Sequence, residues 1–393
     1  MAGDSVTVKE VRERARAFLA DHDPDGMDRL EFLRARFDAG LAWVHFPEGL
    51  GGLGTSRDLQ AVVEAELAGG PQLELGRMAI GLGMAAPTIL AFGTSEQKKR
   101  FLRPLWTGEE IWCQLFSEPG AGSDLATLAT RAVRDGDEWV VDGQKVWTSG
   151  AHHARWAILV TRTDPDVPKH RGLTYFICDM KAPGVDVRPL RQITGEAEFN
   201  EVFLTGVRLP DDLRLGAVGD GWRVAQTTLM NERVAIGGGP VPRGGGMIGL
   251  LARTWRDHPE LRGHDLHQRL LRLWVESEVT RLAGARLREQ LAVGQPGPEG
   301  SAMKLAFAKL NQAITGLDIE LRRDLGYDEW AFRRSENVDM TGRGPGYRYL
   351  RAKGNSIEGG TSEILRNIIA ERVLGLPSEP RVDKDVPWKE LPR

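Results

Sequence analysis

Three short segments combine residue types suited to holding a ligand. The first, Leu115-Phe116-Ser117-Glu118-Pro119-Gly120-Ala121-Gly122-Ser123-Asp124, mixes glycines with small hydroxyls. Glycine lets backbone N–H groups come close to an oxygen-rich group, and successive amides favour an anion. The second, Lys145-Val146-Trp147-Thr148-Ser149-Gly150, sets an aromatic ring before two hydroxyls. At a strand end that pattern can cover a planar ring and hydrogen-bond its edge. In the third, Ile357-Glu358-Gly359-Gly360-Thr361-Ser362-Glu363-Ile364-Leu365-Arg366-Asn367, Thr361 or Ser362 can cap the helix that follows. A helix N-terminus favours phosphate or a reduced, anionic ring. Taken alone, each segment has a plainer reading: a loop between strands, a core tryptophan, an ordinary capped helix.

Other suggestive patterns lack their context. Gly49-Leu50-Gly51-Gly52-Leu53-Gly54 has the spacing of a dinucleotide turn, but Pro47-Glu48 intervenes after the apolar run. No second strand ending in an acid follows, so a flexible turn between helices is the better reading. Asp21-His22-Asp23-Pro24-Asp25-Gly26 begins like a calcium loop, yet Phe32 stands where a bidentate glutamate belongs. His152-His153 has no further ligands at metal spacing, so no metal is expected. Cys113 and Cys178 lie in apolar runs and read as buried thiols.

The elements that must position the three segments change texture twice along the 393 residues. Residues 1–110 read as an all-helical domain: Val11, Ala15 and Phe18, then Leu30, Leu33 and Phe37, recur at helical spacing, and 57–67 and 96–105 are further helices. Residues 111–218 read as a β domain, with an Asp135-Gly136-Asp137 hairpin and strands near 156–161, 173–178, 184–189 and 200–208. Residues 219–393 read as a helical bundle, with helices at 221–236, 266–292, 301–325 and 362–373, then a polar, proline-bearing tail that wraps a surface. Helices, sheet, helices is an α+β arrangement and excludes regular βαβ alternation. The hydrophobic fraction is 41%, the charged fraction 27% and the net charge −3, so nothing in the balance favours nucleic acid or an anionic membrane. The longest apolar stretch, Met78 to Phe92, is short for a bilayer span, and the polar start from Asp4 to Arg16 shows no signal peptide. A cytoplasmic location is the expectation.

Joined with Pro47 to Gly54, Gly93-Thr94-Ser95-Glu96-Gln97-Lys98, Asn231-Glu232-Arg233 and the run from Asn367 to Pro377, the three segments closely resemble the acyl-CoA dehydrogenase family. The resemblance runs from the N-terminal helices to Pro377. It implies an N-terminal helical domain, a central β domain and a C-terminal bundle, with FAD held between the last two. It places Gln114, Phe116 and Ser117 along the flavin ring, and Gly122 and Ser123 beside cofactor and thioester. Trp147 then flanks the ring and Ser149 meets its reactive nitrogen edge. Thr361 and Glu363 approach the phosphates and adenosine, Arg233 borders the coenzyme A channel, and Gly359 and Gly360 border the substrate. The implied reaction is α,β-desaturation of an acyl-CoA, with an electron acceptor such as an electron-transfer flavoprotein. A homodimer or homotetramer is the implied assembly.

The chain also departs from the family pattern. Many members carry the catalytic base immediately before the Gly-Thr-Ser of the third segment, where this chain has Gly359. Two acids compete for the role: Glu232, whose position supplies the base in another branch of the family, and Glu358, one residue upstream of the usual place. The usual Arg-x-x-Phe-Gly stretch, which helps hold the FAD pyrophosphate of a neighbouring subunit, is replaced by Asp257-His258-Pro259-Glu260-Leu261-Arg262-Gly263-His264. A Gly-Gly-x-Gly segment expected near 330–340 is absent, and His267-Gln268 preserves part of the contact. Two other functions share the pocket: an oxidase or monooxygenase, which Gly359 permits and Glu232 argues against, and a non-catalytic subunit that pairs with an active homologue.

Overall fold

The computed structural model describes residues 7–236, 241–293, 298–323 and 342–392; the side chains of 232–236 and 291–293 lie outside the described residues. Helix α1 (Val8–Asp21) starts at a reciprocal cap between Thr7 and Glu10, and α2 (Arg29–Asp38) at Asp28, whose carboxylate accepts from Leu30 and Glu31. Val11, Ala15 and Phe18 of α1 pack on Phe32, and Val63 of α3 (Gln60–Glu66) joins them. The glycine turn between α2 and α3 is closely packed. Ala42 and Trp43 both donate to Gly51 O, and a Cβ on Gly52 would fall 2.0 Å from Phe46 O.

The apolar stretch is longer than the sequence reading allowed. Helix α4 (Leu75–Ile80), a π turn (Gly81–Ala85) and α5 (Ala86–Phe92) form one helical run of 18 residues, which by length and composition alone could cross a membrane. Here the run lies against α6 (Ser95–Thr107) and the sheet, with Ala85, Ala86 and Ile89 in the largest core. Gln97, in the capped first turn of α6, donates to Asp212 O and Arg214 O at 2.6 and 2.9 Å and ties the helices to the β domain.

Among the described residues the sheet has eight strands. The expected hairpin joins β2 (Arg131–Asp135) and β3 (Glu138–Ser149), with Gly136 at φ +63°. The strands β4 (Trp156–Arg162), β5 (Leu173–Asp179), β6 (Val185–Leu190) and β7 (Phe199–Pro210) match the sequence reading to within two residues at each end. Two short strands were not anticipated: β1 (Trp112–Leu115), parallel to β4, and β8 (Arg214–Leu215), on the edge beside β5. The order is β6-β7-β3-β2-β4-β5-β8. Ile158, Val160, Tyr175 and Ile177 meet the helices on one face. Ala157, Leu159, Phe176 and Cys178 face Trp139, Val141 and Val202 on the other, so the sheet curls over a second core. Cys113 and Cys178 lie in it as free thiols, both pushed up from the ordinary thiol range by burial.

Helix α7 (Gly221–Ile236) spans the residues expected and packs on β5 and the π turn. Helices α9 (His264–Val293) and α10 (Gly300–Arg322) agree within three residues, while α12 (Ser362–Ile368) ends in a π turn to Val373. Two helices were missed. α8 (Gly246–Asp257) begins inside a glycine cluster, and α11 (Pro345–Ala352) begins at Gly344-Pro345-Gly346, which reads as a turn although proline suits the first position of a helix. The tail returns to the β domain, where Trp388 donates to Thr127 O at 2.9 Å.

Candidate active site

Strand β1 delivers the first segment. Cys113 and Leu115 enter the inner core, and Phe116 lies in the core on the opposite face. There Phe116 meets Tyr175 edge-on, with ring centroids 5.8 Å apart. The chain then turns tightly as Glu118 and Ala121 exchange backbone hydrogen bonds of 3.1 and 3.0 Å. Gly120, Gly122, Ser123 and Asp124 are exposed, and a Cβ on Gly120 or Gly122 would meet nothing within 4 Å. The protein's own packing does not require glycine at these two places. Small residues there leave an open rim that another group can approach closely.

A buried ion pair, not anticipated from the sequence, holds this loop from beneath. Lys145 Nζ donates to Glu118 Oε1 at 2.8 Å, to Phe116 O at 3.0 Å and to Val160 O at 2.9 Å. Glu118 also accepts from the amides of Ala129 (2.7 Å) and Thr130 (2.9 Å). Burial works against both charges: it opposes ionisation at Glu118 and draws the Lys145 ammonium below its ordinary value. At Glu118 the ammonium and the amide donors outweigh burial and hold the carboxyl below the usual range. The first and second segments are thereby joined, and Val146 N reinforces the junction by donating to Ser117 O at 2.9 Å.

The second segment contains a bulge. Pairing of β3 with β7 shifts register between Lys145 and Thr148, and within the bulge Trp147 sits at φ +60°. Bulges re-aim side chains, and a left-handed aromatic residue is a strained exception. The indole is turned outward, 57% exposed, with its ring edge-on to Phe199 at 5.9 Å. Thr148 is buried with no partner for its hydroxyl, and Ser149 is half-buried.

The third segment is lashed down by α10. Lys304 Nζ donates to Asn355 O (2.6 Å) and Gly360 O (2.8 Å), and Asn311 donates to Asn355 Oδ1 (2.6 Å). Gly359 and Gly360 adopt φ +60° and +93°, and Thr361 then caps α12 by accepting from Ile364 N at 3.2 Å. Glu363 is exposed and paired with Arg366. Glu358 is engaged on both oxygens: Arg351 donates to them at 2.9 and 2.8 Å, and Asn355 Nδ2 adds a bond of 2.8 Å. The same Arg351 guanidinium lies 5.9 Å from the Phe199 ring, so Trp147, Phe199, Arg351 and Glu358 form a continuous rim. The three segments, far apart in sequence, therefore share one locality. Gln268 lies exposed on α9, which packs on α8 and α10, and its neighbour His267 stacks on Trp255 at 5.5 Å.

Three family models cover the chain: the N-terminal domain of acyl-CoA dehydrogenase over residues 5–109, the middle domain over 113–207 and the C-terminal domain over 219–374. Acyl-CoA dehydrogenase IpdE1 of Mycobacterium tuberculosis is 39% identical over 353 residues, covering 87% of this chain and 86% of its own length. The chain belongs to the acyl-CoA dehydrogenase family. Acyl-CoA dehydrogenase FadE34 of the same organism is 44% identical over 86% of this chain, and the chain spans 45% of FadE34. Among solved structures, the Tcur3481-Tcur3483 steroid ACAD matches with TM-score 0.72 at 29% identity, over 95% of this chain and 98% of that one. The ChsE4-ChsE5 complex from Mycobacterium tuberculosis matches with TM-score 0.69 at 29% identity, over 96% and 100%.

Acyl-CoA dehydrogenases are flavoproteins, and the residues brought together here suit a flavin. An outward indole, an orphaned hydroxyl at Thr148 and an open glycine rim offer stacking area, a polar contact and close approach. The side chains of Glu232 and Arg233 lie outside the described residues. The backbone of α7 leading to them is firmly placed, since Thr228, about one turn earlier, bonds to Thr88 (2.8 Å) and to the Tyr175 hydroxyl (2.9 Å). Trp147 supplies a prediction. Trp147→Asn is expected to leave the Tm of the flavin-free acyl-CoA dehydrogenase unchanged or raised. Relief of a left-handed aromatic backbone, about 1–3 kcal/mol, offsets a lost aromatic contact worth about 1 kcal/mol. Flavin affinity, measured by fluorescence titration, is expected to fall about tenfold with the lost indole. A large fall in Tm, or unaltered flavin affinity, would make Trp147 a packing residue.

Proposed function

We propose that this acyl-CoA dehydrogenase oxidises an acyl-CoA thioester across its α,β bond, with Glu232 as the base that removes the α-proton. The observation that carries the proposal is the state of the competing acid. Glu358 is bound on both oxygens by Arg351, so both oxygens are already engaged in a bidentate pair. Gly359 has no side chain to offer. Glu232 stands at the position from which another branch of the family draws its base, on a helix fixed by buried hydroxyls. FAD, when bound, supplies the acceptor for the hydride that leaves the β-carbon. Gln114, Phe116, Ser117, Gly122, Ser123, Trp147 and Ser149 would hold its ring end, and Thr361 and Glu363 its phosphate and adenosine side. Backbone donors on the open Gly122–Ser123 rim are suited to the negative charge that develops on the thioester oxygen as the α-proton leaves. Arg233 serves the coenzyme A channel.

A bulky, ring-bearing acyl group suits this site. One relative in structure is a steroid ACAD, and Gly359-Gly360 leaves the substrate border without side chains. The partner that fits is a second, related chain. Leu271, Val275, Val279 and Leu282 form an apolar line along α9, each 47–60% exposed, at the spacing of one helix face. FadE34 is more than twice as long as its matched part, and the ChsE4-ChsE5 relative is a complex. A partner that keeps the pyrophosphate-holding stretch would compensate for its loss here. A homomer carrying one FAD per chain would count against this pairing.

Anaerobic mixing with long-chain, branched and ring-bearing acyl-CoAs tests the activity. The ring-bearing thioester is expected to bleach the flavin, with slow reoxidation in air and rapid reoxidation by an electron-transfer flavoprotein. Rapid reoxidation in air would favour the oxidase, and no bleaching by any thioester would overturn the proposal.

A further inference from the structure

The segment 377–392 lies on the β domain against the turn 165–169 and reaches the loop that carries Gly122 and Ser123. Lys169, whose side chain is 4% exposed, lies between two carboxylates. One is Asp124, the residue after Ser123, at 2.5 Å, and the other is Asp383 of the segment. Arg381 steadies Asp383 with bonds of 3.2 and 3.3 Å. Five residues on, Trp388 closes over the other end of the loop. Its indole N–H donates to Thr127 O at 2.9 Å. Its ring covers the Arg162 guanidinium at 4.7 Å, and that guanidinium donates to the loop carbonyls of Ala126 (2.5 Å) and Leu128 (3.3 Å). Backbone bonds from Trp388 N to Val167 O and from Lys389 N to Pro165 O fix the segment to the neighbouring turn.

We propose that the segment 377–392 is a positioning strap for the loop 119–128. It holds Asp124 through Lys169 and holds the 126–128 backbone through Trp388 and Arg162. The exposed, glycine-bearing part of the loop between Glu118 and Asp124 is thus fixed at both ends, by the Lys145–Glu118 pair on one side and by the strap on the other. A loop with open glycines keeps its conformational freedom unless its ends are tied. The strap removes that freedom before the ligand arrives, so it sets affinity and takes no part in proton or hydride transfer. Trp388, Asp383 and Lys169 are positioning residues. The inference rests on the proposed placement of thioester and cofactor against Gly122 and Ser123.

The test uses the full chain, with hydrogen exchange of residues 119–130 and steady-state kinetics on the acyl-CoA that bleaches the wild-type flavin. In Trp388→Ala the loop is expected to lose protection, and KM to rise about tenfold, the scale of one charge-linked contact, while kcat stays within about twofold. Trp388→Phe, which keeps a ring over Arg162 but lacks the N–H, is expected to recover most of the affinity. Asp383→Asn, a smaller change, should loosen the Asp124 end and raise KM in the same direction, and it decides the matter if Trp388→Ala does not fold. Unchanged protection overturns the strap. Lost protection with unchanged KM, or a fall in kcat alone, overturns its positioning role. A wild-type protein that binds no flavin and is bleached by no thioester is a failure of the functional reading instead, and loop protection still judges the strap.

Discussion

Glu232→Gln is expected to fold, bind FAD and stay yellow, yet to be bleached by acyl-CoA about three to four orders of magnitude more slowly than wild type. The amide preserves the size and shape of the side chain but cannot take a proton, and general-base contributions of about 10²–10⁴ are typical. The comparison that gives this result meaning is Glu358→Gln. That substitution breaks the pairing with Arg351 and weakens the bond from Asn355. The Glu358 side chain is 31% exposed, so the stability change is expected to be no more than about 1 kcal/mol, with bleaching within about tenfold of wild type. Stopped-flow absorbance of the flavin reads both variants. A dead Glu358→Gln beside an active Glu232→Gln would reverse the assignment. Two dead variants would mean that Arg351 and Glu358 shape the pocket on which Glu232 acts.

Much of the fold was legible because it is written locally. The hairpin at Asp135-Gly136-Asp137 follows from a turn residue that reaches φ +63°. The span of α7 follows from unbroken apolar periodicity between Gly221 and Ile236. Helix α8 was not legible, because Gly244-Gly245-Gly246 hides its start and no side chain caps it. The site was legible as three segments but not as a geometry. Nothing local to Lys145 reveals that it pairs with Glu118, 27 residues away. Trp147 owes its left-handed backbone to a bulge against β7, which depends on register with residues some fifty positions later. The clamp on Glu358 needs Arg351 folded back across a short 3-10 turn. The contact of Trp388 with Thr127 spans 261 positions, and composition alone could say only that the tail lies on a surface. Local periodicity thus specifies the elements, whereas the chemistry depends on charges and strained residues whose partners are remote.

Lys145→Met is expected to destabilise the protein by about 3–5 kcal/mol, as is usual when one member of a buried ion pair is removed. The lysine side chain is fully buried and that of Glu118 is 8% exposed. Methionine can replace the aliphatic stem, but it leaves the Glu118 carboxylate without its cation and the carbonyls of Phe116 and Val160 without a donor. Because Lys145 and Glu118 join the two segments proposed to hold the flavin ring, flavin affinity should fall together with the urea midpoint. The double substitution Glu118→Gln with Lys145→Met separates charge from packing. Removing both charges should restore about 1–3 kcal/mol relative to Lys145→Met alone, the coupling expected of residues in direct contact. Additive losses in that cycle, or a single-variant cost below about 1 kcal/mol, would mean that the loop is held by its backbone turn and the amides of Ala129 and Thr130 rather than by the buried charge.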